Sequence, residues 1–390
     1  MTSNANQRLE TLCREIDLPE RGYQLAHDRY EDLGAWLGRA DSTLVSYDPH
    51  VFVQGSFALG TPIRPILEGE EYDLDFTCRL KTGVTRSSHS QQQLKEMIRV
   101  ELAAYRKARQ IKDGLEEKNR CWRLGYQDEL PFHMDVVPGI PADDERRRQL
   151  SEAMARTGLE SIVAEQAARR ALWITDRQDP NYSWLTPAWP SSNPGGYLLW
   201  FRSRMVSPQK RLLAEAQVDP MPVYRSKTPL QKAVQLLKRH RDVMFKDRPD
   251  YKPASIIITT IAGRVYVEGE SIEQSMRRIL DELGRVMDSN TDSIPNPVNP
   301  LENFADRWSR QDCAHLLLKK NFHNWIREVR RDFRIIAESG VAFELAEAVE
   351  RSMGVKASDS LMRSLGVAAA AVSAPRIVVA DPSPPKPWGE

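Results

Sequence analysis

Apolar positions recur every three to four residues in RGYQLAHDRYEDLGAWLGRA, residues 21–40, which is the spacing of one face of an amphipathic helix. Asp48-Pro49 breaks that pattern, and Val51-Phe52-Val53 opens a strand. Beyond it the period alternates between two and 3.6. A strand is predicted around Tyr72 to Leu80, a helix around Gln91 to Arg109, and two further strands in CWRLGY and PFHMDVVP, joined by the polar turn QDEL. Mixed strands covered by helices predict an α+β lobe over residues 1–195, N-terminal helices included.

From Tyr197 to about Leu365 the period is helical, in TPLQKAVQLLKRHRDVMFK, ASIIITTIAGRVYV, SIEQSMRRILDELGRVM and RQDCAHLLLKKNFHNWIREVRRDFRIIAE, with a turn-rich interruption at SIPNPVNP. A mostly α lobe over 196–365 follows. The connection from Asp176 onward is rich in Pro, Asn, Ser and Trp, and its aromatics argue for an ordered loop. Residues 366–390 carry Pro and small residues without a period and read as a flexible tail.

Composition narrows the function classes. With 41% hydrophobic and 28% charged residues, a chain of 390 residues suits a soluble, bilobed protein. Its 55 basic and 54 acidic residues provide no global attraction to nucleic acid or to an anionic membrane, so a polyanion site must be local. No apolar run is long enough to span a bilayer and the polar N-terminus has no signal-peptide core, so a cytoplasmic protein is expected, with no membrane partner and no nucleic acid required. Cys13, Cys78, Cys121 and Cys313 stand far apart without a CxxC pair, the pattern of reduced structural thiols rather than a zinc ribbon.

Candidate chemistry concentrates in QGSFALGTPIRPILEGEEYDLDFTCRL, residues 54–80. In a strand, residues i and i+2 share a face, so Asp73 and Asp75 project together. Two carboxylates that close repel unless a cation lies between them, and Mg²⁺ is held by one or two carboxylates with substrate phosphates. A lone D-x-D also suits a solvated edge strand. Asp135, in the apolar context FHMDVVP, changes the balance: if its strand pairs beside Tyr72–Leu80, three carboxylates converge. Gly55-Ser56, at a strand end, adds a backbone free of Cβ and a hydroxyl donor for phosphate. The combination points to metal-dependent phosphoryl or nucleotidyl transfer.

FVQGSFALGTPIRP, EYDLDFTC and FHMDVVPGIP, followed by WPSSNPGGYLLWF and PLQKAVQLLKRHRD, resemble the bacterial CD-NTases, the cGAS/DncV-like members of the polymerase-β nucleotidyltransferase superfamily. The resemblance spans roughly Gln54 to Trp308. It implies a bilobed fold with the active site in the cleft, and synthesis of a cyclic di- or trinucleotide second messenger from NTPs in anti-phage defence. It also implies two Mg²⁺ ions, with Mn²⁺ as an alternative, on Asp73, Asp75 and Asp135, and Gly55, Ser56, Lys238 and Ser255 on the donor triphosphate. The implied partners are ATP or GTP, a downstream effector, and a peptide-binding or ubiquitin-transfer-like regulator.

Read from the residues alone, Leu230, Val234 and Leu237 make a core stripe, while Lys232, Arg239 and Arg241 suit a solvated helix face. Ser255 suits a helix N-cap, and Tyr197, Trp200, Phe201 and Tyr224 suit either core or base stacking. Cys313, His315 and His323 fall on one predicted helix, without metal-ligand spacing. Two other functions remain open: a linear nucleotidyltransferase acting on RNA or protein, and an inactive nucleotide sensor. The second sits poorly with three mutually repelling acids.

Overall fold

A computed structural model describes residues 3–66, 70–126, 131–206 and 226–366. Tyr224, the turn at 127–130 and the C-terminal stretch from 367 lie outside them. In chain order the α-helices and strands are α1 Asn4–Ile16, α2 Glu20–Leu37, β1 Pro49–Val53, α3 Gly55–Leu59, β2 Tyr72–Leu80, α4 Gln91–Ala108, β3 Glu116–Glu117, β4 Trp122–Tyr126 and β5 Phe132–Pro141. Then come α5 Asp144–Arg156, α6 Ser161–Ala168, β6 Leu172–Ile174, β7 Ser191–Ser192, α7 Pro194–Met205, α8 Pro229–Met244, α9 Ser255–Val265 and α10 Ile272–Asp288. The hairpin β8 Pro295–Asn296 and β9 Asn299–Asn303 precedes α11 Leu318–Glu338, α12 Ala342–Met353 and α13 Asp359–Ser364.

The main sheet runs β1-β2-β5-β4-β3, with β6 added to the far end of β5 and β7 to β6. Among the described residues only β2 and β5 pair in parallel; their register sets Asp73 against His133 and Asp75 against Asp135. Strand β4 runs antiparallel on the other side of β5 and sets Arg123 against Asp135. Period-two alternation divides β2. Tyr72, Leu74, Phe76, Cys78 and Leu80 are buried in a cluster with residues of α2 and α4, where Tyr30 stacks on Phe76 with ring centroids 5.7 Å apart. The carboxylates therefore stand on the opposite face.

A second cluster gathers α5 through α13. Leu230, Val234 and Leu237 of α8 are fully buried in it, as the helical spacing predicts. Tyr197, Trp200 and Phe201 are also core: the Tyr197 hydroxyl meets Thr260 Oγ1 at 2.8 Å, and Trp200 packs against Gly263. Helix α1 departs from its expected place with the N-terminal lobe. Leu9, Leu12, Cys13 and Ile16 join the helical cluster, and Arg8 donates to the carbonyls of Ile336 and Leu365 at 3.0 Å.

The segment around Cys313 departs as well. Gln311–Leu316 is a short 3₁₀ turn, Leu317 takes a left-handed φ of 49°, and only then does α11 begin. Cys313 and His315 are thus on a different element from His323. All four cysteines are free and buried. Among the described residues no helix is long and apolar enough to cross a membrane.

Candidate active site

The open face of the sheet presents four polar side chains in register: Asp73 and Asp75 from β2, His133 and Asp135 from β5, with Arg123 from β4 beside them. Arg123 grips Asp135 with two parallel bonds, Nε to Oδ1 and Nη2 to Oδ2, each 2.7 Å. His133 lies between Glu71, 2.7 Å from Nδ1, and Asp73, against its Nε2. Burial opposes charge on this imidazole, but the two carboxylates win and raise its pKa. Asp73 and Asp135 thus each have a cationic neighbour. Asp75, between them, forms no hydrogen bond or ion pair among the described side chains.

That position explains its electrostatics. Burial, then the negative charges of Asp73 and Asp135, push the Asp75 carboxyl up to about 7. Gly55 closes the space beneath it: a Cβ there would stand 2.0 Å from Asp75 Oδ2, and the residue has φ +63°. Only glycine fits both conditions. The strand ends at Val53, Gln54 N donates to the Asp75 carbonyl at 2.8 Å, and the chain turns into α3 with Ser56 in its first turn.

These groups open into a cavity of about 650 Å³ whose far wall is α8 and α9. Its lining includes Gly55, Ser56, Asp73, Asp75, Lys238 and Ser255, so six of the seven sequence candidates meet in one cleft. Asp135 stands one strand further, beside Asp75 in register. Among the described residues no group of three His, Cys, Asp or Glu side chains is placed so that it could hold a metal ion: Asp73 and Asp75 face the cleft as a pair, while both oxygens of Asp135 are taken by Arg123.

Lys238 donates to the Thr61 carbonyl at 2.7 Å and is brought down to about 8 by burial and by Arg241, with Asp242, Asp73 and Asp75 pulling the other way. It is one tooth of a polar seam. Gln231 donates to Leu59 O at 2.9 Å, Gln235 to Pro62 O at 2.6 Å, and Arg239 to Arg64 O at 2.8 Å. Four donors at i, i+4, i+7 and i+8 on α8 thereby satisfy the carbonyls of the segment that leads away from α3. The solvated face expected for this helix is corrected here: Arg239 and Arg241 are 6% and 5% exposed, and Lys232 pairs with Glu10 of α1 at 2.6 Å. A backbone without its own partners requires them. Ser255 is also corrected, because Ala254 is the N-cap of α9 and Ser255 its first helical residue, on the cavity wall.

Sequence reasoning missed His133, Arg123 and Asp242. His133 and Asp135 share a face by period two, a signal present in FHMD; Arg123 needed the β4–β5 register. Asp242 lines the cavity, held below the usual carboxylate range against burial by Arg241 and Lys252.

Comparison with known proteins places this geometry. Residues 49–138 match the nucleotidyltransferase domain of cyclic GMP-AMP synthase DncV-like proteins. A c-di-GMP synthase of Roseivirga ehrenbergii is 28% identical over 356 residues, 87% of this chain and 84% of its own. The cyclic dinucleotide synthase CdnG of Bradyrhizobium diazoefficiens is 23% identical over 327 residues, 81% of this chain and 73% of its own. The structure of the Bradyrhizobium diazoefficiens CD-NTase CdnG in complex with GTP superposes with a TM-score of 0.65 at 19% identity, covering 93% of this chain and 98% of that one. Residues 49–138 thus carry a match to a DncV-like nucleotidyltransferase domain, the relatives are cyclic dinucleotide synthases, and the bilobed α+β fold is the one seen in CD-NTase structures.

Proposed function

We propose that this chain condenses nucleoside triphosphates into a cyclic di- or trinucleotide, with Asp73, Asp75 and Asp135 holding Mg²⁺ and Gly55, Ser56, Lys238 and Ser255 holding the donor triphosphate. The observation that carries the reading is the pair Asp73 and Asp75 with Gly55 against Asp75, in a cleft that Lys238 closes, and Asp135 next to Asp75 in register on the neighbouring strand. A largely buried carboxylate between two others, without a cation of its own, is an oxygen donor set suited to a hard divalent ion. Bound there, Mg²⁺ would supply activation of the acceptor's ribose hydroxyl and neutralisation of charge on the departing pyrophosphate.

The chain's own groups do the rest. Gly55, bare of Cβ, leaves backbone open to phosphate oxygens, and Ser56 offers a hydroxyl donor. Lys238, held by Thr61 O, faces the triphosphate with a charge that counts for more because it is buried. Asp135 takes the acceptor side, orienting the attacking hydroxyl. The one relative named for c-di-GMP synthesis, and the CdnG complex with GTP, support GTP as one substrate. The product would act on a downstream effector as a second messenger.

The test is to incubate the purified chain with Mg²⁺ or Mn²⁺ and the four NTPs, treat with phosphatase and identify products by mass spectrometry. A phosphatase-resistant cyclic product, lost in Asp73→Asn/Asp75→Asn, is expected. Linear RNA extension, or no NTP consumption, would sink the reading.

A further inference from the structure

We propose that Arg123 is a positioning residue that competes with a divalent ion for Asp135, and that Glu116 takes the guanidinium when the ion prevails. The inference rests on the reading of Asp135 as a metal ligand given above. Three strand registers set four charged side chains in one row across the sheet. Asp75 of β2 stands against Asp135 of β5, Asp135 against Arg123 of β4, and Arg123 against Glu116 of β3. Cross-strand partners share a face, so the one cation of the row lies between two acids that can each accept from it.

Asp135 has the guanidinium in this arrangement. Arg123 Nε and Nη2 take Oδ1 and Oδ2 at 2.7 Å each. Such a fork fixes the plane of a carboxylate and the side it faces, here toward β4 and away from Asp75 on β2. Asp73 and Asp75 accordingly line the cleft, and Asp135 does not. The fork opposes a metal in two ways: it occupies both oxygens, and its positive charge repels a second cation. The apparent affinity for metal is then reduced by the fraction of molecules in which Asp135 is free to bind.

Glu116 is held less firmly. Its carboxylate pairs with Lys118 Nζ, and these side chains are 57% and 37% exposed, against 30% for Arg123 and 16% for Asp135. A lysine pair in water contributes little, so Glu116 can give up Lys118 and accept the guanidinium. Arg123 cannot shed its charge, and a waiting acid on its other side spares the sheet an unpaired cation when Asp135 is withdrawn.

The test titrates Mn²⁺ alone, without nucleotide, into the full chain and its variants by calorimetry. Arg123→Gln is expected to tighten Mn²⁺ binding by about tenfold or more, and Arg123→Gln/Asp135→Asn to lose that gain. Glu116→Gln is expected to weaken binding by about threefold in the natural chain and to change nothing once Arg123 is replaced, the signature of two residues acting through one contact. Thermal melts establish that each variant is folded; if Arg123→Gln is not, Arg123→Lys, which keeps the charge without the fork, is held to the same direction of change. Mn²⁺ binding that is unchanged, weakened or undetectable in the folded Arg123 variant overturns the proposal. So does a gain that survives Asp135→Asn, or a Glu116→Gln effect of equal size in both backgrounds. Product formation from NTPs is scored separately. A chain that makes no cyclic product yet gains Mn²⁺ affinity in Arg123→Gln keeps this inference and loses the proposed function, and an active chain without that gain does the reverse.

Discussion

At the scale of single residues, the sharpest feature is a carboxylate kept where it is costly. Asp75 titrates near 7 because burial and two neighbouring acids oppose its charge, against an ordinary value of 3.8. Between those values the native state holds a proton that the unfolded chain has lost, so the group's contribution to stability falls as pH rises through the window and is lowest above pH 7. Asp75→Asn removes that cost. Without divalent metal it is expected to raise the melting temperature at pH 8 by ~2–4 °C, corresponding to about 1–2 kcal/mol, with the difference gone by pH 4. Mg²⁺ should stabilise the natural chain and leave the variant unmoved. A variant that melts lower than the natural chain at pH 8, measured by differential scanning calorimetry, would remove the electrostatic account. The D-x-D pair was legible in the sequence because period two is a rigid geometric rule. The guanidinium on Asp135 was not, because Arg123 reaches it only through a register that the strand's own residues do not specify.

At the scale of elements, α8 joins core, seam and cleft on one helix. Its start is written in the sequence: Thr228 caps Gln231 in a capping box with Pro229 at the first helical position. Its apolar stripe was equally readable. Its polar side was not, since Lys232, Arg239 and Arg241 have the helical spacing of a solvated face, and only the carbonyls of 59–64, which take Arg239 together with Gln231, Gln235 and Lys238, distinguish the two cases. The same ambiguity hid the break at Leu317, where an apolar residue adopts a left-handed turn that no local signal requests. Burial has a consequence for Lys238. With its pKa lowered to about 8 from 10.5, its ammonium is mostly charged at pH 7 and loses that charge as pH climbs past 8. Since kcat/KM reports the free enzyme, its profile for NTP consumption is expected to fall on the alkaline side with a midpoint near 8. Lys238→Arg, whose charge persists, should move that limb to higher pH even if it lowers the maximum. An alkaline limb in the same place for both proteins would show that another group sets it.

At the scale of the whole molecule, the division into a sheet lobe and a helical lobe followed from the change of period along the chain, but the stitching between them did not. Helix α1 precedes the sheet lobe in sequence yet completes the helical core, a long-range choice that an amphipathic stripe leaves undetermined. Just after it, Asp17 accepts from Gln235 Nε2 at 3.0 Å and pairs with Lys227, while its backbone bridges to Ile63. The segment 59–64 is therefore held from two sides, by α8 through side-chain donors and by the end of α1 through backbone. Because this segment begins where α3 ends and forms the cavity floor beside Lys238, the lobes' relative position and the cleft's shape depend on the same bonds. Gln231→Leu/Gln235→Leu keeps the helix's apolar contacts and volume but leaves the Leu59 and Pro62 carbonyls buried without donors, and it also takes Gln231 Oε1 from the Thr228 N–H of the capping box and Gln235 Nε2 from Asp17. At about 1–3 kcal/mol for each unpaired group, the double variant is expected to lose ~2–4 kcal/mol in urea denaturation. It should also become sensitive to native-state thermolysin within 59–66, because local opening there no longer breaks these bonds. Mg²⁺ and NTP together should restore part of the protection if the cleft closes on substrate across this seam. A urea midpoint and a cleavage rate equal to those of the natural chain would mean that the apolar contacts of α8, rather than its polar seam, fix how the two lobes meet.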